Sequence, residues 1–296
     1  MKKFLLVDGN LLLFQSFYAS YNPYQKNMIS PEGITTNGVH VFLITLCKLL
    51  NYLKPDYLFI AFDANSKTKR HQIYQNYKSG RNKPPEIIFE QFDLIKIILN
   101  KLNIEWLEKN GEEADDLIAT LVNNNNCQNF IFSKDKDLLQ LVDNNTCIIK
   151  TNREKDTFEL INLENFKSIY NINPIQIPDF KGIAGDNSDN LPGVQGIGDK
   201  GAIKLLNEFN TLEDIYNNIE LVKGKTKEKL LSNKNSAFLC KTLAILNKNV
   251  DMELNLDKYS NFLKNNIVEG LNFLSLHGLN KAKEYIKGII DFKNEN

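Results

Sequence analysis

Residues 183–202 read IAGDNSDNLPGVQGIGDKGA, and two incompatible local folds can be written through their glycines. Gly196, Gly198 and Gly201 satisfy the G-x-G-x-x-G spacing with which a strand–turn–helix unit cradles a dinucleotide pyrophosphate. The same glycines fit a turn between two helices, where the N-terminal amides of the second helix meet a backbone phosphate of a nucleic acid without reading its base. The lead-in separates the two. A pyrophosphate fingerprint needs a strand running into its first glycine, and SDNLPGVQ places Pro192 and Gly193 there, which interrupt a strand. Glu220 is the acid at the distance a ribose contact would need. In the helical reading one helix ends at Asp189–Leu191, GVQGIG turns, and DKGAIKLLNEF begins a second helix on which Lys200 and Lys204 lie one turn apart.

The bulk of the sequence limits the setting. With 296 residues, 42% of them hydrophobic, there is apolar material for one large α/β domain and a smaller second one. A net charge of +0 excludes a uniformly basic coat but not a local basic face. Cys47, Cys127, Cys147 and Cys240 are scattered, with no C-x-x-C pair, so neither zinc nor a disulfide framework is supported and buried thiols in a reducing cytoplasm are expected. Asp8 ends the N-terminal apolar run too early for a signal peptide, and VFLITLCKLL (41–50), interrupted by Lys48, is too short to span a bilayer. A soluble cytoplasmic protein with no membrane partner is the expectation.

FLLVD (4–8), YLFIAFD (57–63) and NFIFSKDKD (129–137) are short apolar runs that each close on a carboxylate, interleaved with helix-period segments such as GVHVFLITLCKLLNYL (38–53). That alternation predicts a parallel sheet flanked by helices, whose carboxyl edge gathers Asp8, Asp63, Asp135 and Asp137. GEEADDLIATLV (111–122) adds Glu113, Asp115 and Asp116 in the first turn of a helix with Leu117, Ile118, Leu121 and Val122 on its apolar face. Two such charges at 4 Å repel by roughly 4 kcal/mol at an effective dielectric of about 20. Bound cations relieve that repulsion, and oxygen donors without His or Cys select Mg²⁺ or Mn²⁺. Taken singly, Asp8 or Asn10 could cap the helix LLLFQSFYA, Glu113 and Asp115 could be ordinary first-turn acids, and Asp135 and Asp137 a solvated turn. Capping does not predict three strands with one ending.

ANSKTKRHQIYQNYKSGRNKPPE (64–86) interleaves Lys67, Lys69, Arg70, Lys78, Arg81 and Lys83 with Tyr74 and Tyr77, a mixture suited to phosphate neutralisation and base stacking. The chain has three arginines, Arg70, Arg81 and Arg153, and two fall here, where a guanidinium fork suits a phosphate better than an ammonium does. A solvated surface loop is the alternative.

LLVDGN, FIAFDA, RHQIYQNYKSGR, GEEADDLIATL, SKDKDLLQLV and GDNSDNLPGVQGIGDKGA together resemble the 5′→3′ exonuclease domain of bacterial DNA polymerase I and its flap-endonuclease relatives, over the chain to about residue 250. The resemblance implies an α/β fold: a parallel-sheet, PIN-like or resolvase-like nuclease domain over 1–172 with a helical arch near 66–84, and a helical DNA-binding domain over 173–296 carrying a helix-three-turn-helix. It implies a first metal site of Asp8, Asp63, Glu113 and Asp115 with Asp116 nearby, and a second of Asp115, Asp135, Asp137 and Asp186, with Asp189 acting through water. Two ions, Mg²⁺ or Mn²⁺, would then serve an in-line displacement. Lys78, Arg81 and Arg70 would contact phosphate, Tyr77 would stack on a base, and Gly196, Gly198, Lys200 and Lys204 would hold duplex DNA, with K⁺ at the hairpin.

The implied substrates are 5′ ends, nicks and 5′ flaps of DNA, RNA primers on DNA included, in replication and repair. The expected protein is a monomeric, stand-alone nuclease working beside a separate DNA polymerase. Two positions depart from the family pattern: Gln15 stands where arginine is common and Lys69 where an aromatic is usual. A non-catalytic junction binder would have lost metal carboxylates, and a toxin-like ribonuclease of the same sheet needs neither the basic segment nor the glycine hairpin.

Overall fold

The computed structural model describes the chain except residues 23, 25, 26, 153, 155, 156, 265, 266 and 296, with 292–295 by backbone alone. Arg153 therefore lies outside the described residues.

In chain order the elements are β1 (Lys3–Asp8), α1 (Gly9–Ser20), α2 (Asn37–Leu53), β2 (Tyr57–Ala61), α3 (Lys69–Ile73), α4 (Ile87–Lys101), β3 (Trp106–Leu107), α5 (Ala114–Asn123), β4 (Gln128–Phe132), β5 (Thr146–Asn152), β6 (Thr157–Ile161), α6 (Leu163–Tyr170), α7 (Ile177–Ala184), α8 (Asp199–Phe209), α9 (Leu212–Asn217), α10 (Lys225–Ser232), α11 (Lys234–Ala244), α12 (Val268–Leu276) and α13 (Asn280–Glu295). The strands form one sheet in the order β3-β2-β1-β4-β5-β6, parallel except for the β5–β6 pair. The expected α/β fold with a helical second part is what the chain adopts.

Strands buried on both faces need continuous apolar runs, and β1 supplies one: Phe4, Leu5, Leu6 and Val7 are all fully buried. Their two-residue period sends Phe4 and Leu6 into one core, shared with α5 and α7–α9. Leu5 and Val7 enter the other, shared with α1, α2 and α4. Each side chain so buried contributes about 1.5–3 kcal/mol. The four cysteines are buried, and burial pushes the Cys47 and Cys147 thiols up to about 12. Among the described residues no helix is long and apolar enough to cross a membrane.

No strand enters the glycine loop, as Pro192 and Gly193 predict, so the dinucleotide reading has no structural basis. Two features differ from the sequence expectation. The helix before that loop ends at Ala184 rather than Asp189–Leu191, because Gly185 takes φ +77°, a conformation that ends a helix. The amide hydrogen bonds between Asp186 and Leu191 then close the loop on itself. Helices α12 and α13, assigned by sequence to the DNA-binding part, pack on α4 and α2, where Leu274, Leu279, Ala282 and Ile286 complete the core under the first helical layer.

Candidate active site

At the carboxyl edge of the sheet, between β1 and β4, the strand order reverses, which is where an open parallel sheet leaves a crevice. The cavity there has a volume of about 750 Å³, and Asp8, Asp63, Glu113, Asp115, Asp135 and Asp186 line it together with Lys78 and Arg81.

Local hydrogen bonds aim these acids. Asp8 ends β1 and does cap α1, its Oδ1 accepting from the Leu11 amide at 2.9 Å. Its Oδ2 accepts from Ser133 Oγ at 3.0 Å, which ties β1 to the end of β4. Capping and convergence are thus the same feature. Asp63 follows β2 and accepts from the Ala114 amide at 2.8 Å, so the first turn of α5 orients it. Asp135 accepts from the Asp137 amide at 2.9 Å, and its own amide donates to Ser133 Oγ at 3.0 Å.

Burial, and then the charges of Asp63 and Asp135, pushes Asp8 up to about 7. Burial and then Asp135, Asp8 and Asp137 hold Asp115 well above the usual carboxylate range, and burial raises Asp63 despite nearby Lys78. Among the described residues Asp8, Asp63, Asp115 and Asp135 form no ion pair.

The remaining acids are neutralised from within. Glu113 accepts from Lys78 Nζ at 2.9 Å, Tyr77 OH at 3.2 Å and Thr68 Oγ1 at 3.3 Å. Asp189 accepts from Arg81 Nη2 at 2.7 Å and from Tyr77 OH at 3.2 Å. Buried Lys181 pairs with Asp137 and, at 2.7 Å, with Asp186, holding Asp186 down to about 2 against the effect of its burial. With these side chains turned onto protein cations, no three carboxylates among the described residues close on one point as a preformed metal cage.

The basic segment lies down rather than standing free. It is helical only over α3, and Lys78 takes φ +57°, a strained backbone for a side-chain-bearing residue. The Lys78 amide donates to Asp189 O at 3.0 Å and Asn190 Nδ2 to Asn76 O at 2.8 Å, fastening 76–78 to the glycine loop.

Several assigned residues stand elsewhere than on the cavity. Arg70 is buried and makes a bidentate pair with Asp116 (2.6 and 2.8 Å) while donating from Nε to Leu243 O at 2.8 Å, with Glu113 Oε2 3.4 Å from its Nη1, so neither Arg70 nor Asp116 lines the cavity. Tyr77 is 2% exposed, which leaves no ring face for a base. Asp137 and Asp189 sit behind Lys181 and Arg81. Lys69, the departure from an aromatic, pairs with Glu112, and Gln15 lines a smaller groove with Lys48 and Lys134. Lys181 was missed by sequence. Its signal was a lysine among the apolar positions of IPDFKGIA, where burial demands an acid partner.

At the hairpin, Gly198 is the N-cap of α8 with φ −96°, and a Cβ there meets nothing within 4 Å. Lys200 and Lys204 are exposed, and Asp199 beside them lines the acidic cavity, so the first turn of α8 borders the carboxylates.

The raised carboxyls give a pH dependence with a definite sign. Folded values near 7 for Asp8 and Asp137, above the unfolded value near 4, mean that the folded chain binds more protons. Without divalent ions, thermal stability is therefore expected to rise as pH falls from about 7.5 to about 5. Asp186 acts oppositely, but its contribution is lost only as pH falls from about 4 towards its folded value of about 2. Millimolar Mg²⁺ is expected to flatten the slope, and Tm against pH with and without Mg²⁺ measures it. A metal-free Tm that falls as pH is lowered over this interval would contradict the raised carboxyls, whose first cause is burial.

Comparison with known proteins agrees with this geometry. Residues 3–171 match the profile of the 5′-3′ exonuclease N-terminal resolvase-like domain and residues 172–265 that of the 5′-3′ exonuclease C-terminal SAM fold. A 5′-3′ exonuclease of Mycoplasmopsis pulmonis is 40% identical over 273 residues, covering 90% of this chain and 88% of that one. DNA polymerase I of Bacillus subtilis is 38% identical over 273 residues, 90% of this chain but 30% of the polymerase. The bacteriophage T5 D15 flap endonuclease, solved with DNA and metal ions, shares the fold with a TM-score of 0.67 at 20% identity over 98% of this chain and all of that one. An acid-lined switch point, a glycine hairpin at its rim and two matched domain profiles in sequence place this chain in the 5′-3′ exonuclease family.

Proposed function

We propose that this protein hydrolyses phosphodiester bonds at 5′ ends, nicks and 5′-flap junctions of DNA, RNA primers on DNA included, using two divalent ions, Mg²⁺ or Mn²⁺. The observation that carries the reading is the set of four carboxylates, Asp8, Asp63, Asp115 and Asp135, on one cavity with no protein cation among the described residues bonded to any of them. Their oxygen-only donors fit a hard ion, and Glu113 and Asp186 on the same wall would join them. Bound there, the ions would supply a nucleophilic hydroxide and charge stabilisation for the leaving oxygen.

The chain's own cations do the rest. Lys78 and Arg81 line the cavity and would turn from Glu113 and Asp189 to neutralise the scissile phosphate and position it over the acids. The first turn of α8, with Lys200 and Lys204, holds the duplex arm through its backbone, with Gly196 in the preceding turn and K⁺ there, so the junction rather than the base sequence selects the cut. A monomer in the cytoplasm beside a separate DNA polymerase completes the proposal.

The test compares a 5′-labelled flap, a nicked duplex and a short single strand, with Mg²⁺ and with Ca²⁺, for the wild type and Gly198→Val. A Cβ at 198 meets nothing, so valine is expected to lower Tm only by the N-cap preference for glycine, while weakening both duplex-containing substrates about tenfold and sparing the single strand. No Mg²⁺-dependent cleavage of any arm by the wild type would defeat the reading, and saturable NAD binding in calorimetry would replace it.

A further inference from the structure

The turn that precedes α8 is gripped from the neighbouring α10–α11 pair. Lys229 Nζ donates to the Gly196 carbonyl at 2.8 Å, Ser236 Oγ donates to the Gly193 carbonyl at 2.8 Å, and the Gly193 amide donates to Cys240 Sγ at 3.4 Å. Lys229 lies along the glycine itself: Gly196 has φ +81°, and a Cβ there would stand 2.9 Å from Nζ and 3.1 Å from Cε. The nearby lysines are used differently. Lys227 pairs with Glu220, and Lys241 with Asp179 and Glu213, whereas Lys229 forms no ion pair with a carboxylate among the described residues. Its charge is committed to a peptide oxygen of the turn.

A peptide plane presents either its oxygen or its N–H to what approaches it. With the Gly196 oxygen bonded by Lys229, the Ile197 amide on the other side of the same plane donates to Val194 O at 3.0 Å, so the plane cannot rotate without breaking both bonds. The Gly193 oxygen is held in the same way by Ser236. Two carbonyl dipoles that would repel a phosphate are thus turned towards α10–α11, and what the turn offers outward is the start of α8.

We infer that Lys229 is a positioning residue for duplex DNA: it fixes the Gly196 peptide so that the phosphate backbone meets the amides of α8, and it acts through that carbonyl rather than by touching DNA. The inference rests on the proposed contact between the hairpin and a duplex arm.

The test measures Kd for a nicked duplex between about 50 and 200 mM NaCl, together with the saturating single-turnover rate, for the wild type, Lys229→Met, Lys229→Arg and Lys200→Ala. Loss of one hydrogen bond from a charged donor is expected to raise Kd about tenfold in Lys229→Met. The salt slope and the saturating rate should stay as in the wild type, and Lys229→Arg should restore most of the affinity. Lys200→Ala, which removes a direct phosphate contact, should instead lower the slope by about one. Should Lys229→Met fold poorly, Ser236→Ala loosens the same turn, with an expected rise of about threefold and again no change in slope.

A slope lowered in Lys229→Met as in Lys200→Ala would make Lys229 a direct contact and overturn the inference. So would an unchanged Kd beside a weakened Lys200→Ala. If neither Lys200→Ala nor Gly198→Val alters duplex binding, the hairpin contact itself fails and the inference with it.

Discussion

Replacing Asp115 by asparagine is expected to lower single-turnover cleavage of a flap substrate about a thousandfold, equivalent to roughly 4 kcal/mol of transition-state stabilisation. The Kd for nicked duplex should stay within about threefold, because the duplex is held at α8. Asp115 is the acid on which the others converge: Asp135, Asp8, Asp137 and Asp63 all raise its pKa after burial does. It lines the cavity and forms no ion pair among the described residues, so its carboxylate is open to an ion held there. The same crowding fixes the sign of a second effect. A neutral amide relieves the repulsion, so metal-free Asp115→Asn is expected to melt above the wild type in scanning fluorimetry. A variant that loses binding and cleavage in equal measure, or melts lower, would show that Asp115 holds structure rather than chemistry.

One residue further along α5 the expectation reverses. Asp116→Ala leaves the Arg70 guanidinium buried without its bidentate partner, with only Glu113 Oε2 at 3.4 Å from Nη1, and removal of one member of a buried pair costs about 4 kcal/mol. At roughly 2 °C per kcal/mol for a chain of this size, Tm should fall by about 8 °C. Arg70 also donates to the carbonyls of Leu243 and Ile245, and Asp116 accepts from the Asn247 amide at 2.8 Å, so the pair joins α3 and α5 to the end of α11. Below the transition, cleavage by Asp116→Ala should be within a few-fold of wild type. Pairing the substitution with Arg70→Met should recover much of the lost stability, since no unpaired charge then remains. Cleavage lost at unchanged Tm would return Asp116 to the metal site.

Asp115 and Asp116 look alike in GEEADDL, and their separation shows where reading a sequence stops. Adjacent residues on a helix point about 100° apart, so one faces the sheet edge and the other the α3 side. Which way the helix is rotated depends on where Leu117, Ile118 and Leu121 find their core. Spacing shows that two carboxylates start the helix, but not which one meets Arg70.

Several things were legible without coordinates because they rest on local rules. Apolar runs closing on Asp8, Asp63 and Asp135 specify strands in a sheet buried on both faces, and parallel strands must open their carboxyl ends on one edge. Pro192 and Gly193 exclude a strand before the glycine loop, which settles that loop as a turn between helices. The strands β5 and β6 went unseen because TCIIKTN and TFELI carry no such closing acid, and their pairing is made across a connection.

Tertiary structure alone decided which charges are free. Lys78 meets Glu113 across 35 residues and Arg81 meets Asp189 across 108, while Lys181 lies between Asp137 and Asp186. Charge pairing depends on distance and on exclusion of water, and neither follows from residue type or order. The sequence by itself determined the strands β1, β2 and β4, the gathering of acids at their carboxyl ends and the turn between helices at 193–198. Only the fold determined that Asp8, Asp63, Asp115 and Asp135 form no ion pair among the described residues, because only packing sets which buried carboxylate has a cation within reach.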